Sequence, residues 1–121
     1  MTQTPSGKHF DLEDRTFEFA KRCRAFVKTL PRTLANQEDR RQLIRSSGSV
    51  GANYIEANES LSKKDFCMRI KISRKEAKES RYWLKLVYIG PEPSVEAERA
   101  RLVQESTEVM KIFGAILHKS E

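Results

Sequence analysis

The four prolines stand at positions 5, 31, 91 and 93, so nothing from residue 32 to residue 90 forbids a helix. Proline lacks the backbone donor and clashes with the preceding turn, which makes its absence permissive and its placement informative. Across the chain, apolar residues recur at three- and four-residue spacing, and no alternating strand pattern competes. The reading is all-α, with four helical segments and no proline in the interior of any of them.

The first segment runs from about Asp11 to Leu30, with Asp11 as its cap and Leu12, Phe19, Cys23, Phe26, Val27 and Leu30 on one face. Pro31 ends it. The second starts near Asn36, a good N-cap residue, with Glu38 and Asp39 in the positive first turn. Its apolar face holds Leu43, Ile44, Ser47, Val50, Gly51, Tyr54 and Ile55, and it fades near Asn58. Ser62 caps the third, with Asp65 three residues on in a capping-box arrangement. That segment continues to Ile89, where Gly90-Pro91 provides a strong stop. The fourth begins at Pro93-Ser94 and reaches His118, with Leu102, Val109, Ile112, Phe113 and Ile116 as its stripe. Short connections make neighbours antiparallel, which predicts an up-down-up-down four-helix bundle. Residues 11–119 form one domain, and residues 1–10 are read as a disordered lead-in, with Phe10 positioned to staple the first helix.

Lys plus Arg is 23 and Asp plus Glu is 17, a balance of +6 that favours acidic partners such as nucleic acid. Cys23 and Cys67 lie far apart within helical apolar patterns, which suits buried thiols and a reducing cytoplasm. No apolar run approaches the roughly 20 residues that span a bilayer. The first ten residues lack the apolar core of a signal peptide.

Projected at 100° per residue, the third segment divides into sectors. A core stripe contains Phe66, Ile70, Ser73, Ala77, Leu84 and Val87. Nearly opposite lie Met68, Ile72, Trp83, Leu86 and Ile89, which require a second partner, either another helix or another subunit; because Trp and Met are enriched at interfaces, contact with another subunit is favoured, and these five are the expected oligomer interface. Between them runs a basic sector of Lys63, Lys64, Lys71, Arg74, Lys75, Lys78, Arg81 and Lys85, with Tyr82 and Tyr88 in or beside it. Residues 62–89 carry nine basic and three acidic side chains, so this segment alone equals the net charge of the chain. A one-sided stripe of this kind follows a phosphate backbone, and tyrosines stack on unpaired bases. The alternative is a solvated face that discourages wrong association.

Helix two is interrupted by Ser46, Ser47, Gly48, Ser49, Gly51 and Ala52. A glycine inside a helix costs about 1 kcal/mol relative to alanine, so these residues call for a close approach by a neighbouring helix. A phosphate-cradling loop is the rival, but the run has no P-loop lysine and follows no strand. Asn53 and Glu56 are read as polar contacts that set helix register. The only histidines, His9 and His118, sit near the two ends. A di-iron site in a bundle wants Glu-x-x-His motifs, and none occurs. Glu56, Glu76 and Glu79 are better read as partners of Arg or Lys. No metal, no cofactor and no catalytic set is expected.

The run Arg45-Ser46-Ser47-Gly48-Ser49-Val50-Gly51-Ala52-Asn53-Tyr54-Ile55-Glu56-Ala57 resembles a signature of the four-helix bundle proteins of bacterial large-subunit ribosomal RNA intervening sequences. Ser62-Lys63-Lys64-Asp65-Phe66 and Lys75 through Leu84 are similar to that family's third-helix pattern, and the likeness covers about residues 12–117. Tyr54 departs from it, standing where the family often has a smaller or aliphatic residue. The resemblance implies a cytoplasmic bacterial bundle assembled as a ring-like homopentamer. It also implies a fold-level relation to the basic accessory protein of diversity-generating retroelements, which engages a reverse transcriptase and nucleic acid. The expected function is therefore a non-enzymatic, oligomeric bundle that binds RNA or DNA through helix three. The alternative is a scaffold that binds a protein partner and has no nucleic-acid role.

Overall fold

The computed structural model describes residues 11–120. It contains four helices: α1 (Leu12–Val27), α2 (Leu34–Asn58), α3 (Lys63–Leu86) and α4 (Pro93–Ser120), with no strand among the described residues. The lead-in 1–10, with its Phe10 staple, and His9 lie outside the described residues.

Caps explain most of the boundaries. The Asp11 carboxylate accepts from the Glu13 amide at 2.8 Å, and the Ser62 hydroxyl accepts from the Asp65 amide at 3.1 Å. Pro93 opens α4, a position where its missing N–H costs nothing. Three boundaries differ from expectation. First, α1 ends at Val27, and the chain tightens into successive i→i+3 bonds that bury Leu30. Second, Thr33, not Asn36, caps α2, with its hydroxyl accepting from the Asn36 amide at 3.0 Å. That places Glu38 and Asp39 beyond the first turn of α2. Third, α3 stops at Leu86 rather than Ile89.

One residue accounts for the last two differences. Asn36 is fully buried and joins two connections. Its amide nitrogen donates to the Pro31 carbonyl at 2.9 Å and to the Tyr88 carbonyl at 2.8 Å, while its oxygen accepts from the Tyr88 amide at 3.1 Å. The Tyr88 peptide groups thus bond to a side chain instead of continuing α3. Val87 takes an extended conformation and is itself buried. Gly90 then adopts φ 75°, a left-handed value that glycine tolerates, with Pro31 close by.

Each helix touches two neighbours: α2 packs most extensively on α3, α3 on α4, α1 on α2, and α1 on α4. Paired positions on adjacent helices run in opposite senses. Arg15 meets Glu105 and Arg22 meets Glu98, whereas Ser46 meets Ser80 and Val50 meets Ser73. Side chains fill the diagonal. The Tyr54 ring of α2 lies 5.9 Å from the Phe113 ring of α4, which explains why a large residue fits there. Phe19, Leu43, Ile70, Leu84, Leu102, Val109 and Phe113 are fully or almost fully buried at the centre.

The core is unusually rich in small hydroxyl residues. Thr16, Ser46, Ser47, Ser73, Ser80 and Ser106 are all buried. Their hydroxyls satisfy themselves on backbone carbonyls, mostly one turn back in the same helix. Two bonds cross between α2 and α3: Ser46 to Ser80 at 2.8 Å, and Ser73 to the Val50 carbonyl at 2.9 Å. A donor that reaches a neighbouring backbone carbonyl needs a close approach of the two helices. On the other side of α2, a Cβ added to Gly51 would stand 2.9 Å from the Thr16 hydroxyl oxygen of α1. The expected close packing around helix two is thus present against both α1 and α3. Ile55, expected on the apolar face, is instead about half exposed at 49%.

The two glycines of α2 should respond oppositely to alanine. Gly48→Ala meets only the Arg24 guanidinium at 3.8 Å and should gain up to about 1 kcal/mol from helix propensity. Gly51→Ala must displace Thr16 and should lose about 1 kcal/mol net, because overpacking outweighs propensity. Asn36→Ala strands buried partners in two connections and should cost about 3 kcal/mol. Urea midpoints at unchanged m-value would measure all three.

Candidate nucleic-acid interface

The orientation of α3 follows from its two seams. Ser73, Ser80 and Arg69 face α2, where the Arg69 guanidinium donates to Asn53 Oδ1 at 3.0 Å. Arg81 faces α4 and donates to the Thr107 hydroxyl at 3.1 Å. What remains points outward. Lys63, Lys64, Lys71, Arg74, Lys75, Lys78 and Lys85 are all exposed, and Arg81 is half-buried. The basic sector therefore lies on one face of the bundle, with Arg81 at its α4 edge.

Within it, Lys64, Lys71, Lys78 and Lys85 recur every seven residues, so successive lysines stand about 10.5 Å apart along the helix. A seven-residue repeat drifts only about 20° per step, so the four make a nearly straight row. No lysine of this row, and neither Lys63, Arg74 nor Lys75, forms an ion pair among the described residues. The inter-helix ion pairs use other cations. Arg15 grips Glu105 in two bonds of 2.7 and 2.9 Å, and Arg22 grips Glu98 in two bonds of 3.2 and 3.0 Å, tying α1 to α4. Arg45 of α2 meets both Glu76, at 3.3 Å, and Glu79 of α3. Glu76 and Glu79 of α3 thus turn toward α2, while Asp65 is exposed in the first turn. Asn53 fulfils the register role expected of it, whereas Glu56 is exposed.

The second apolar group of α3 divides in two. Trp83 and Ile89 are partly buried against the chain's own core. Trp83 is pinned by its indole N–H, which donates to Glu79 at 3.1 Å. Ile72 is half-buried, while Met68 and Leu86 are about half exposed at 49% and 52%. Tyr82 and Tyr88 are more exposed still. The Tyr82 ring meets the Trp83 ring edge to face, 5.0 Å between centroids and 81° between planes. An open groove of ≈ 410 Å³ runs past Lys78, Arg81, Tyr82, Lys85 and Leu86. A second open groove, of ≈ 440 Å³, lies between α1 and α2, where exposed Phe17 and Ile55 flank Gly48 and Gly51. Neither Phe17 nor the fully exposed Leu61 was singled out from the sequence, since a lone apolar residue on an outer helix face or in a turn carries no periodic signal.

Burial pushes the Cys23 thiol up to about 12, which makes it inert at neutral pH, and Cys67 is half-buried. His118 is exposed in the last turn of α4. Among the described residues no three His, Cys, Asp or Glu side chains gather as metal ligands, and no helix is long and apolar enough to cross a membrane.

The family described as 23S rRNA-intervening sequence protein matches residues 8–114. The chain belongs to this family. Among solved structures, a protein of unknown function from the S23 ribosomal protein family of Bacteroides thetaiotaomicron is similar, with 30% identity and a TM-score of 0.73. The match covers 88% of this chain and 98% of that one. Comparison with curated proteins found no match. The family resemblance carried by the Arg45–Ala57 run is thereby established, and the motif's structural meaning is visible in this intervening sequence protein. Its small residues line the two α2 seams, and its arginine holds the α3 carboxylates.

Burial raises the Glu79 carboxyl, but its bonds from Trp83 and Arg45 outweigh this and hold it below the ordinary value; Glu98 behaves likewise beside Arg22 and Arg101. A depressed folded value contributes stability above the unfolded carboxylate range, and that contribution is lost as pH falls through the folded value. Stability should therefore hold at neutral pH and decline only below the usual glutamate value of about 4.3. Fluorescence of Trp83 should report the Glu79 step during acid titration, and Arg45→Ala should move that step to higher pH.

Proposed function

We propose that this protein is a non-enzymatic nucleic-acid-binding bundle that uses the exposed lysine row of α3 to follow a phosphate backbone. The observation that carries this reading is the unpaired state of that row among the described residues, with Glu76 and Glu79 engaged by Arg45 at the α2 seam. Unpaired surface cations release counterions when they meet phosphates, which is the main source of backbone affinity. Such contacts position a strand without reading its sequence.

The opposed numbering of paired residues on adjacent helices supports an up-down-up-down course, with α3 flanked by α2 and α4. We further propose that copies of the chain assemble in the cytoplasm. Exposed Phe17 and Ile55 beside the α1–α2 groove, and exposed Met68 and Leu86 on α3, offer apolar surface for such contacts. A ring of five rests on the family resemblance alone. The same apolar surface favours the second reading, a scaffold for a protein partner.

The test is binding to labelled RNA and DNA across a salt series, on protein whose mass in solution is known from light scattering. Replacing Lys71, Arg74, Lys78 and Lys85 with Glu should abolish binding and leave helicity unchanged. Lys78→Ala alone should lower the slope of log affinity against log salt by about 1. Affinity indifferent to both changes would overturn the reading and favour the scaffold. A mass of one chain would remove the assembly.

A further inference from the structure

We infer that the lysine row holds a single strand with unpaired bases, and that Tyr82 is the platform on which one base stacks. This rests on the nucleic-acid reading above and narrows it from any phosphate backbone to one with exposed bases.

A backbone-only site needs cations and nothing else. Here an aromatic ring sits among them. Tyr82 is 58% exposed on the outer face of α3, beside the row. Lys78 and Lys85 lie four residues before it and three after it, one helical turn to either side, and Arg81 is adjacent. These four side chains and Leu86 line the open ≈ 410 Å³ groove. Phosphates on either side of a stacked base would meet Lys78 and Lys85, and the exposed Leu86 would add apolar contact at the base edge.

The ring is also braced. Trp83 meets it edge to face, Trp83 donates to Glu79, and Glu79 is gripped by Arg45 from α2. A relay from α2 to the tyrosine therefore limits the freedom of the neighbouring indole. Ordering a platform before binding reduces the entropy lost on binding. The Tyr82 hydroxyl forms no hydrogen bond among the described residues, so its phenol is held by ring packing alone. A paired duplex keeps its bases stacked inside and could not use such a ring, whereas every unpaired base offers a π-face. The ring does not separate RNA from DNA, since both present the same faces.

The experiment compares a single strand, the matching duplex and a single strand carrying abasic positions, each as RNA and as DNA, against wild type, Tyr82→Phe and Tyr82→Ala. Fluorescence anisotropy reads affinity, and circular dichroism confirms the fold. Wild type should prefer the single strand. Tyr82→Ala should weaken single-strand binding about 5- to 150-fold, Tyr82→Phe should retain it, and duplex binding should not change. The abasic strand should bind wild type and Tyr82→Ala equally, because the removed base and the removed ring are the two halves of one contact. Equal loss with duplex and single strand, or no loss with Tyr82→Ala, would overturn the stacking site and leave the lysine row standing. No binding of any nucleic acid at low salt would overturn both.

Discussion

The contact between α2 and α3 sets the terms for the rest of the molecule. Its central residues are serines and a backbone carbonyl, not large apolar side chains. Ser46 meets Ser80, and Ser73 reaches the Val50 carbonyl. A hydrogen bond tolerates only a few tenths of an ångström, so these pairs constrain spacing and rotation more tightly than leucine packing would. The rotation of α3 then decides everything on its outer face. With Ser73 and Ser80 turned inward, the lysine row has nowhere to go but solvent.

Polar chemistry is thus divided by face. On the α2 side of α3, Arg45 engages Glu76 and Glu79, and through Glu79 the indole of Trp83. On the α1–α4 side, two bidentate Arg–Glu pairs hold the least extensive of the four contacts. Planar guanidinium and carboxylate groups specify orientation as well as attraction. Glu76, Glu79, Glu98 and Glu105 hold helices in register, and the lysines of α3 are left without a partner among the described residues. A net charge of +6 in this chain is therefore a local property of one helix more than a general one.

Asn36 plays the corresponding part at one end of the bundle. It ties the α1–α2 connection to the α3–α4 connection through three hydrogen bonds from a wholly buried amide. This stops α3 at Leu86 and turns the chain before Gly90. Tyr88 and Leu86 end up exposed at that end of α3, close to Tyr82 and Lys85 in sequence. The termination of the helix and the form of its outer face are therefore linked.

Four helices, most of their caps and the inward stripe of α3 were legible in the residues, because helical periodicity and cap chemistry are local. The need for close packing at Gly51 and the basic sector of α3 could also be read, since glycine in a helix and nine cations in one segment are conspicuous without coordinates. The family was carried by the Arg45–Ala57 run. Other features depended on neighbours distant in sequence. Asn36 looks like a cap from its residue type, and only the approach of Tyr88, fifty-two positions away, makes it a buried clamp. Trp83 looked unpartnered on a helical wheel, yet it lies partly buried against the chain's own core and bonded to Glu79. Glu76 and Glu79 turn toward Arg45, and so leave the lysines unpaired, because the α2–α3 register brings that arginine to them. Pairing across helices is a property of register and rotation, and these come from packing rather than from any local run of residues.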